Sequence, residues 1–490
     1  MSSHKRFPTE LWLEILQFLP RDSLHAVYAT DRTFKNASRA LLLSHLVFSP
    51  YYDRRAERAR REHHLAAPDG ITFALDRLAF WSSDEIAPFV RQCTITLRVQ
   101  LEGETTPVPL RDADAPHILM TSILDRLAKF PRLKKLYAKA ANFNQAGVTN
   151  LCQLPLLTEI AIEWCGVLPG ETINASGLEL RTTKFSYSNF PAPLSGFPGT
   201  PWLSLLHPGH LRELTANGNW GAVGDIIVAG TAFPHVRKLH LGMDFNTMNK
   251  NLASLAKFPV VRELQISGWG QLVYEAVEAP AVRASDVLPL LREYSGPCRL
   301  LPILLDKPSL THLTLERCTP SELLAQLHGE HSRIASLHAT LYDPKPADLS
   351  SICRSFPALV DLCVRISAVA QDSEFEDGVN MGATNFFTAL VDMPCLPSTL
   401  RRLAISWDLV FDSDDEDMEP VEASPRRIPD FVAIRNALRE RCPALATLWL
   451  DGYDFRFKWR QLLGREEVEQ ENMIKPGTSE EGFVDFWEGR

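Results

Sequence analysis

Cys353 and Cys363 are the residues of this sequence that come nearest to a nucleophile site. A thiol attacks as the thiolate, so it needs a neighbouring base or cation. The sequence offers scattered histidines and places none beside either cysteine. His63 and His64 could ligate a metal, but no further ligand cluster lies near them. There is no G-x-S-x-G elbow, no H-E-x-x-H, no Walker loop and no dinucleotide fingerprint. Neither an enzyme, a cofactor nor a metal site is expected. The residues that do fit a chemical pattern are serines. Ser413 is followed by acidic residues, with Glu416 three positions on, which suits an acidophilic kinase. Ser424 opens "SPRR", which suits a proline-directed one. A phosphate there would change the local charge by about two units.

With enzyme chemistry set aside, composition narrows the class. The 490 residues are 45% hydrophobic and 23% charged, which fits packed domains rather than a disordered chain. A formal net charge of -9 argues against a nucleic-acid binder, so no nucleic acid is expected as partner. The 9 cysteines are odd in number and lack a CxxC pair, which suits reduced thiols in the cytoplasm or nucleus. No apolar run is long enough for a membrane span, and "MSSHKRFPTE" has no apolar signal core, so no membrane association is expected.

The chain opens on "RFPTELWLEILQFLPRDSLHAVYATDRTF". Pro8 or Thr9 starts a helix on which Leu11, Trp12, Ile15, Leu16 and Leu19 recur at helical spacing, widened by Phe18. Pro20 ends it. A second short helix carries Leu24, Val27 and Tyr28. A third, from near Asp31, carries Phe34, Ala37, Leu41 and Leu42. Three helices in fifty residues make a marginal free domain. The surplus apolar surface must meet either the body of the chain, as a cap, or a foreign helical surface. Residues 7–48 resemble an F-box through Pro8, Glu10, Leu11, Ile15, Leu16, Leu19, Pro20, Leu24 and Val27. Phe7 stands in place of the commoner Leu, and Phe34 where many members have Trp. The resemblance implies binding to the Skp-type adaptor of a cullin–RING ubiquitin ligase through Pro8, Leu11, Ile15, Leu16, Leu19, Pro20, Leu24 and Val27.

From about residue 90 one pattern recurs: apolar, two variable residues, apolar, one variable, apolar. Clear copies begin at Leu133, Leu157, Leu211, Val236, Val261, Leu310, Ile334, Leu359, Leu400 and Leu445; weaker ones begin at Cys93, Leu178 and Leu291. Starts at Leu211, Val236 and Val261 lie 25 residues apart, as do Ile334 and Leu359. That is the period of leucine-rich repeats, which also place Asn or Cys at the ninth position, here Cys165, Asn219 and Cys318. The expected fold is α/β: a short three-helix F-box, then a leucine-rich-repeat solenoid with parallel strands on its concave face and helices on its convex face. The expected boundaries are 1–50 for the F-box, 51–89 for a helical linker, 90–465 for the repeats and 466–490 for a tail. The tail is either loose or pinned across the last repeats by Phe483, Phe486 and Trp487. Acidic disordered loops are expected near 370–382 and 411–428.

Strand residues that alternate with the apolar ones should face the open side. Tyr137, Glu159, Glu163, Lys238, His240, His312, Arg365 and Trp449 are the candidates for holding a protein target. Trp449 and Tyr137 are the aromatic anchors among them. The whole resembles F-box/leucine-rich-repeat proteins, particularly the large fungal group. This resemblance implies a substrate-recognition subunit of a Skp–cullin–F-box E3 ubiquitin ligase, with adaptor, cullin and an unidentified protein target as partners. The alternative is a repeat scaffold acting outside any ligase.

Overall fold

In the computed structural model the chain forms two compact units, Met1–Phe258 and Pro259–Arg490. The structure describes residues 9–30, 32–49, 68–96, 115–139, 141–163, 165–167, 173–175, 177–186, 202, 205–217, 232–244, 252–269, 287–369, 375–393, 395–410, 428–452, 455–462, 465–472, 483 and 487.

The first unit begins with three short helices, α1 (Thr9–Leu16), α2 (Arg21–Tyr28) and α3 (Arg32–Leu42). Leu16, Leu24 and Ala37 are the fully buried centre of this cluster, and Trp12, Leu13, Leu19, Val27, Phe34, Leu41 and Leu42 pack around them. Trp12 meets Phe34 edge-on at 4.7 Å between ring centres.

Strands β1 (His45–Phe48), β2 (Gln92–Thr96) and β3 (Lys135–Lys139) follow, and then the two-residue β4 (Asn142–Phe143). After these come β5 (Glu159–Glu163), the two-residue β6 (Gly166–Val167), β7 (Thr182–Ser186), β8 (Glu213–Asn217) and β9 (Lys238–Asp244). β4 and β6 pair only with each other, and the rest pair in parallel, each with the next in sequence. The register stacks equivalent repeat positions: Leu136, Ile160, Thr183, Leu214 and Leu239 form one continuous row. Such a row buries on one face what no single repeat could bury alone. Helices α4 (Pro68–Trp81), α5 (Ala115–Leu127) and α6 (Gln145–Cys152) pack against one another in turn and contribute Leu78, Ile123 and Leu151 to the buried side.

The second unit repeats the scheme with β10 (Glu263–Trp269), β11 (Glu293–Pro297), β12 (His312–Cys318), β13 (Ser336–Tyr342), β14 (Asp361–Val369), β15 (Arg402–Val410) and β16 (Thr447–Asp451), all parallel neighbours. Two antiparallel strands, β17 (Phe455–Leu462) and β18 (Arg465–Asn472), close it. Just before β11, β12, β13, β14 and β15 one carbonyl accepts two consecutive N–H groups of the next repeat. Arg292 receives Thr311 and His312, and Val360 receives Arg401 and Arg402. Every repeat copy read from the sequence coincides with a strand, from β2 to β16.

The boundaries differ from the sequence reading in four places. The sheet begins at β1, inside the segment assigned to the N-terminal helices, because Leu46 and Phe48 alternate inward. Residues 68–81, within the segment assigned as a helical linker, form α4, which belongs to the packed body and buries Ala74, Leu78 and Trp81. The acidic stretch 370–382 is helical from Phe375, the start of the helix Phe375–Ala389, whose later turns bury Ala383, Phe386 and Phe387. Residues 466–472, assigned to the tail, belong to strand β18. Its charged side chains are exposed on both faces, so no apolar alternation marks it, and its backbone pairing and ion pairs such as Lys458–Glu469 at 3.0 Å define it instead. The charged run 51–66 and the loop 411–427 lie outside the described residues.

Candidate functional site

Two surfaces collect the candidate residues. The first is the outer side of α1. Leu16 is 2% exposed and Leu24 8%; both are internal to the helical cluster rather than available to a partner. Leu19 and Val27 are half-buried against it, while Pro20 is exposed. On the opposite side Leu11 is 41% exposed, Ile15 46% and Phe18, just past the helix end, 81%. Pro8 lies outside the described residues. The sequence stripe therefore splits into an inward row that makes the cluster and an outward row that nothing in the described chain covers. α3 ties the cluster to the repeats: the Arg39 guanidinium lies 3.7 Å from the Glu85 carboxylate and over the Phe89 ring.

The second surface is the open face of the strands. In the first unit, Tyr137, Glu159 and Glu163 are there, but their charges are matched by neighbours. Lys135 pairs with Glu159 at 2.8 Å and Lys139 with Glu163 at 2.7 Å, directly across the β3–β5 register. Tyr137 donates its hydroxyl to Glu163. Burial, reinforced by that carboxylate, pushes the phenol well above its ordinary range. Lys238 is exposed opposite Glu213, and His240 is half-buried. Burial, with Lys184 nearby, lowers the His240 pKa and favours the neutral ring. In the second unit His312 is exposed, its Nδ1 2.8 Å from Thr311 Oγ1, and Arg365 is half-buried on β14.

Trp449 corrects the sequence reading. It sits on the open face of β16 yet is fully buried, because Phe483 and Trp487 from the C-terminal segment lie on it. Of the two readings of that segment, the pinned one holds for Phe483 and Trp487; Phe486 lies outside the described residues. Ser413 and Ser424 are outside them as well. The register places His338, Cys363, Ala404 and Trp449 on one rung across β13–β16. Two small side chains thus lie between two rings. That signal was present in the fifth letters of "IASLHA", "LVDLCV", "LRRLAI" and "LATLWL", and sequence reading passed over it.

The cysteines behave as packing groups. Burial pushes the Cys353 and Cys363 thiols up to about 12, so both stay protonated at neutral pH. Cys165, at the ninth repeat position, directs its thiol at the Ala138 carbonyl of the preceding strand, 3.3 Å away. Among the described residues no group of His, Cys, Asp and Glu could hold a metal ion, and no helix is long and apolar enough to cross a membrane.

No protein-family model and no curated protein matches the sequence. Among solved structures, the crystal structure of a TLR13–ssRNA13 complex is similar over 68% of this chain at 12% identity and a TM-score of 0.22. The match spans 58% of that chain.

Proposed function

We propose that this chain is the substrate-recognition subunit of a Skp–cullin–F-box E3 ubiquitin ligase. The outer row of α1 binds the Skp-type adaptor, and the open strand face binds a protein target. The chain then supplies proximity, raising the local concentration of target lysines near the charged conjugating enzyme. One observation carries this reading: a small helical cluster that completes its own core on one side leaves Leu11, Ile15 and Phe18 outward on the other. Soluble proteins rarely leave such a row uncovered without a partner for it. The test mixes the purified full chain with purified Skp-type adaptor. A one-to-one complex in size exclusion, lost in Ile15→Asp, supports the assignment; separate elution of the wild-type chain refutes it.

A second reading, a scaffold acting outside any ligase, draws on the Arg39–Glu85 contact and on β1, which continues α3 directly into the sheet. Those features suit an N-terminal cap of the repeat stack.

A further inference from the structure

Side chains on the open face of a repeat stack vary in size from strand to strand. On the rung His338–Cys363–Ala404–Trp449 the two middle ones, Cys363 and Ala404, are small, which leaves a notch between an imidazole and an indole. Phe483 and Trp487 fill it. Phe483 meets Trp449 edge-on at 5.2 Å and stacks on Trp487 at 5.7 Å between ring centres. Trp487 meets the His338 ring edge-on at 5.8 Å. Two residues earlier on the same face, Arg402 is gripped by both oxygens of Asp361, which fixes its guanidinium. That guanidinium lies 5.0 Å from the centre of the Trp487 ring, and its Nη1 donates to the Trp487 carbonyl at 3.0 Å. The seat thus reads two rings spaced four residues apart and one backbone carbonyl. This is how a protein receives an outside segment, with aromatic anchors in a preformed notch and a preset donor beside it.

We propose that this notch is a docking site for a protein segment of aromatic-x-x-x-aromatic chemistry, and that Phe483 and Trp487 occupy it as a tethered self-ligand which such a segment displaces. That the displacing segment belongs to a target rests on the function proposed above; the seat and its exchange do not. Ten residues separate Asn472, the end of β18, from Phe483. A tether of that length holds its own ligand at an effective concentration on the order of 1 mM. A free peptide of ~100 μM intrinsic affinity must therefore bind the intact chain about tenfold more weakly than a chain whose own rings are removed.

The probe is a fluorescent peptide of residues 479–490. It is titrated by anisotropy into the wild-type chain and into the full-length Phe483→Ala/Trp487→Ala variant. A third sample carries a protease site between residues 473 and 478, cut after folding and freed of the released segment. Saturable binding at least about tenfold tighter to the variant and to the cut chain than to wild type, and absent for a peptide with both rings replaced by Ala, supports the proposal. Equal binding to all three, or none to the folded variant and cut chain, overturns it. A body that unfolds once the segment is cut overturns it too, since a displaceable ligand must leave a folded seat. So does a wild-type dimer that exchanges segments between copies. The measurement needs neither adaptor nor target, so a failed adaptor complex leaves its outcome unaffected.

Discussion

Leu16 and Ile15 are neighbours in sequence, and the structure assigns them opposite fates. Leu16 is 2% exposed at the centre of a cluster whose other fully buried members are Leu24 and Ala37. Leu16→Ala removes one of three central groups, and Leu→Ala in a packed core costs about 2–5 kcal/mol. A core this small supplies only about 3–5 kcal/mol in all, so α1–α3 should open locally. Ile15 is 46% exposed, so Ile15→Asp removes little internal packing and should cost the cluster under ~1 kcal/mol. At a docked interface the balance reverses. Burying the exposed half of Ile15 is worth about 1 kcal/mol, and an unpaired carboxylate there adds a penalty of about 2 kcal/mol or more. Together that is a loss of about 100-fold in adaptor affinity. Hydrogen exchange on the full chain reads the cluster, and titration with adaptor reads the interface. The reasoning fails if Ile15→Asp exposes the α1–α3 amides as Leu16→Ala does. It fails equally if Ile15→Asp leaves adaptor affinity within twofold of wild type.

Three other outcomes follow from charges and thiols. Asp451 and Arg456 form a buried pair across β16–β17 at 3.2 Å; Asp451→Ala removes the carboxylate facing a buried guanidinium and should destabilise the second unit by about 3 kcal/mol in chemical denaturation, so a change below ~1 kcal/mol would contradict the assignment. Burial lowers the pKa values of His240, His331 and His338. Asp361 opposes this at His338, while Arg402 and His312 add to it. The unfolded chain therefore binds protons first as pH falls through about 6.5. Melting temperature should be level from pH 8 to 7 and drop between pH 6.5 and 5.5, with a shallower drop in His338→Asn. Cys395 is the opposite of the buried thiols: a hydrogen bond from Arg354, 3.6 Å away, lowers its pKa. Iodoacetamide at pH 7.5 should alkylate Cys395 before Cys93, Cys353 or Cys363, and Arg354→Ala should slow it several-fold. Peptide mapping that finds another cysteine first would refute this.

The repeats were legible because their physics is local and periodic. Val236, Leu239 and Leu241 must point inward whatever else the chain does, and 25 residues later Val261, Leu264 and Ile266 must do the same. What lies at the ends was not legible, because there the cause is not periodic. β18 exists through pairing with β17 and not through any apolar pattern of its own. Trp449 matches an exposed strand position in spacing, and it becomes a core residue through the distant Phe483 and Trp487, with Arg456 and Lys458 of β17 over its ring. Glu159 and Glu163 alternate with the buried Ile160 and Ile162, but the lysines that neutralise them sit one strand away, at equivalent positions of the preceding repeat. The α1 stripe was visible as a stripe; which half faces inward depended on where α3 lies.

The energetics of the C-terminal contact explain why it can serve as a switchable occupant rather than a fixed part of the core. Phe483 and Trp487 together remove roughly 300 Å² of aromatic surface from water, worth ~7.5 kcal/mol at about 25 cal/mol per Å². The Arg402 guanidinium on the Trp487 ring adds about 1 kcal/mol, and its hydrogen bond to the Trp487 carbonyl about 1 kcal/mol more. Fixing two rings four residues apart costs about 1.5 kcal/mol per ordered residue, or ~7.5 kcal/mol over five. The balance is ~2 kcal/mol in favour of contact. Core positions such as Leu362 and Leu403 differ, because the strands that carry them are already fixed by pairing on both sides. A margin that small keeps the notch filled in the free chain, yet a segment with the same two rings and modest further contact along β13–β16 would exceed it.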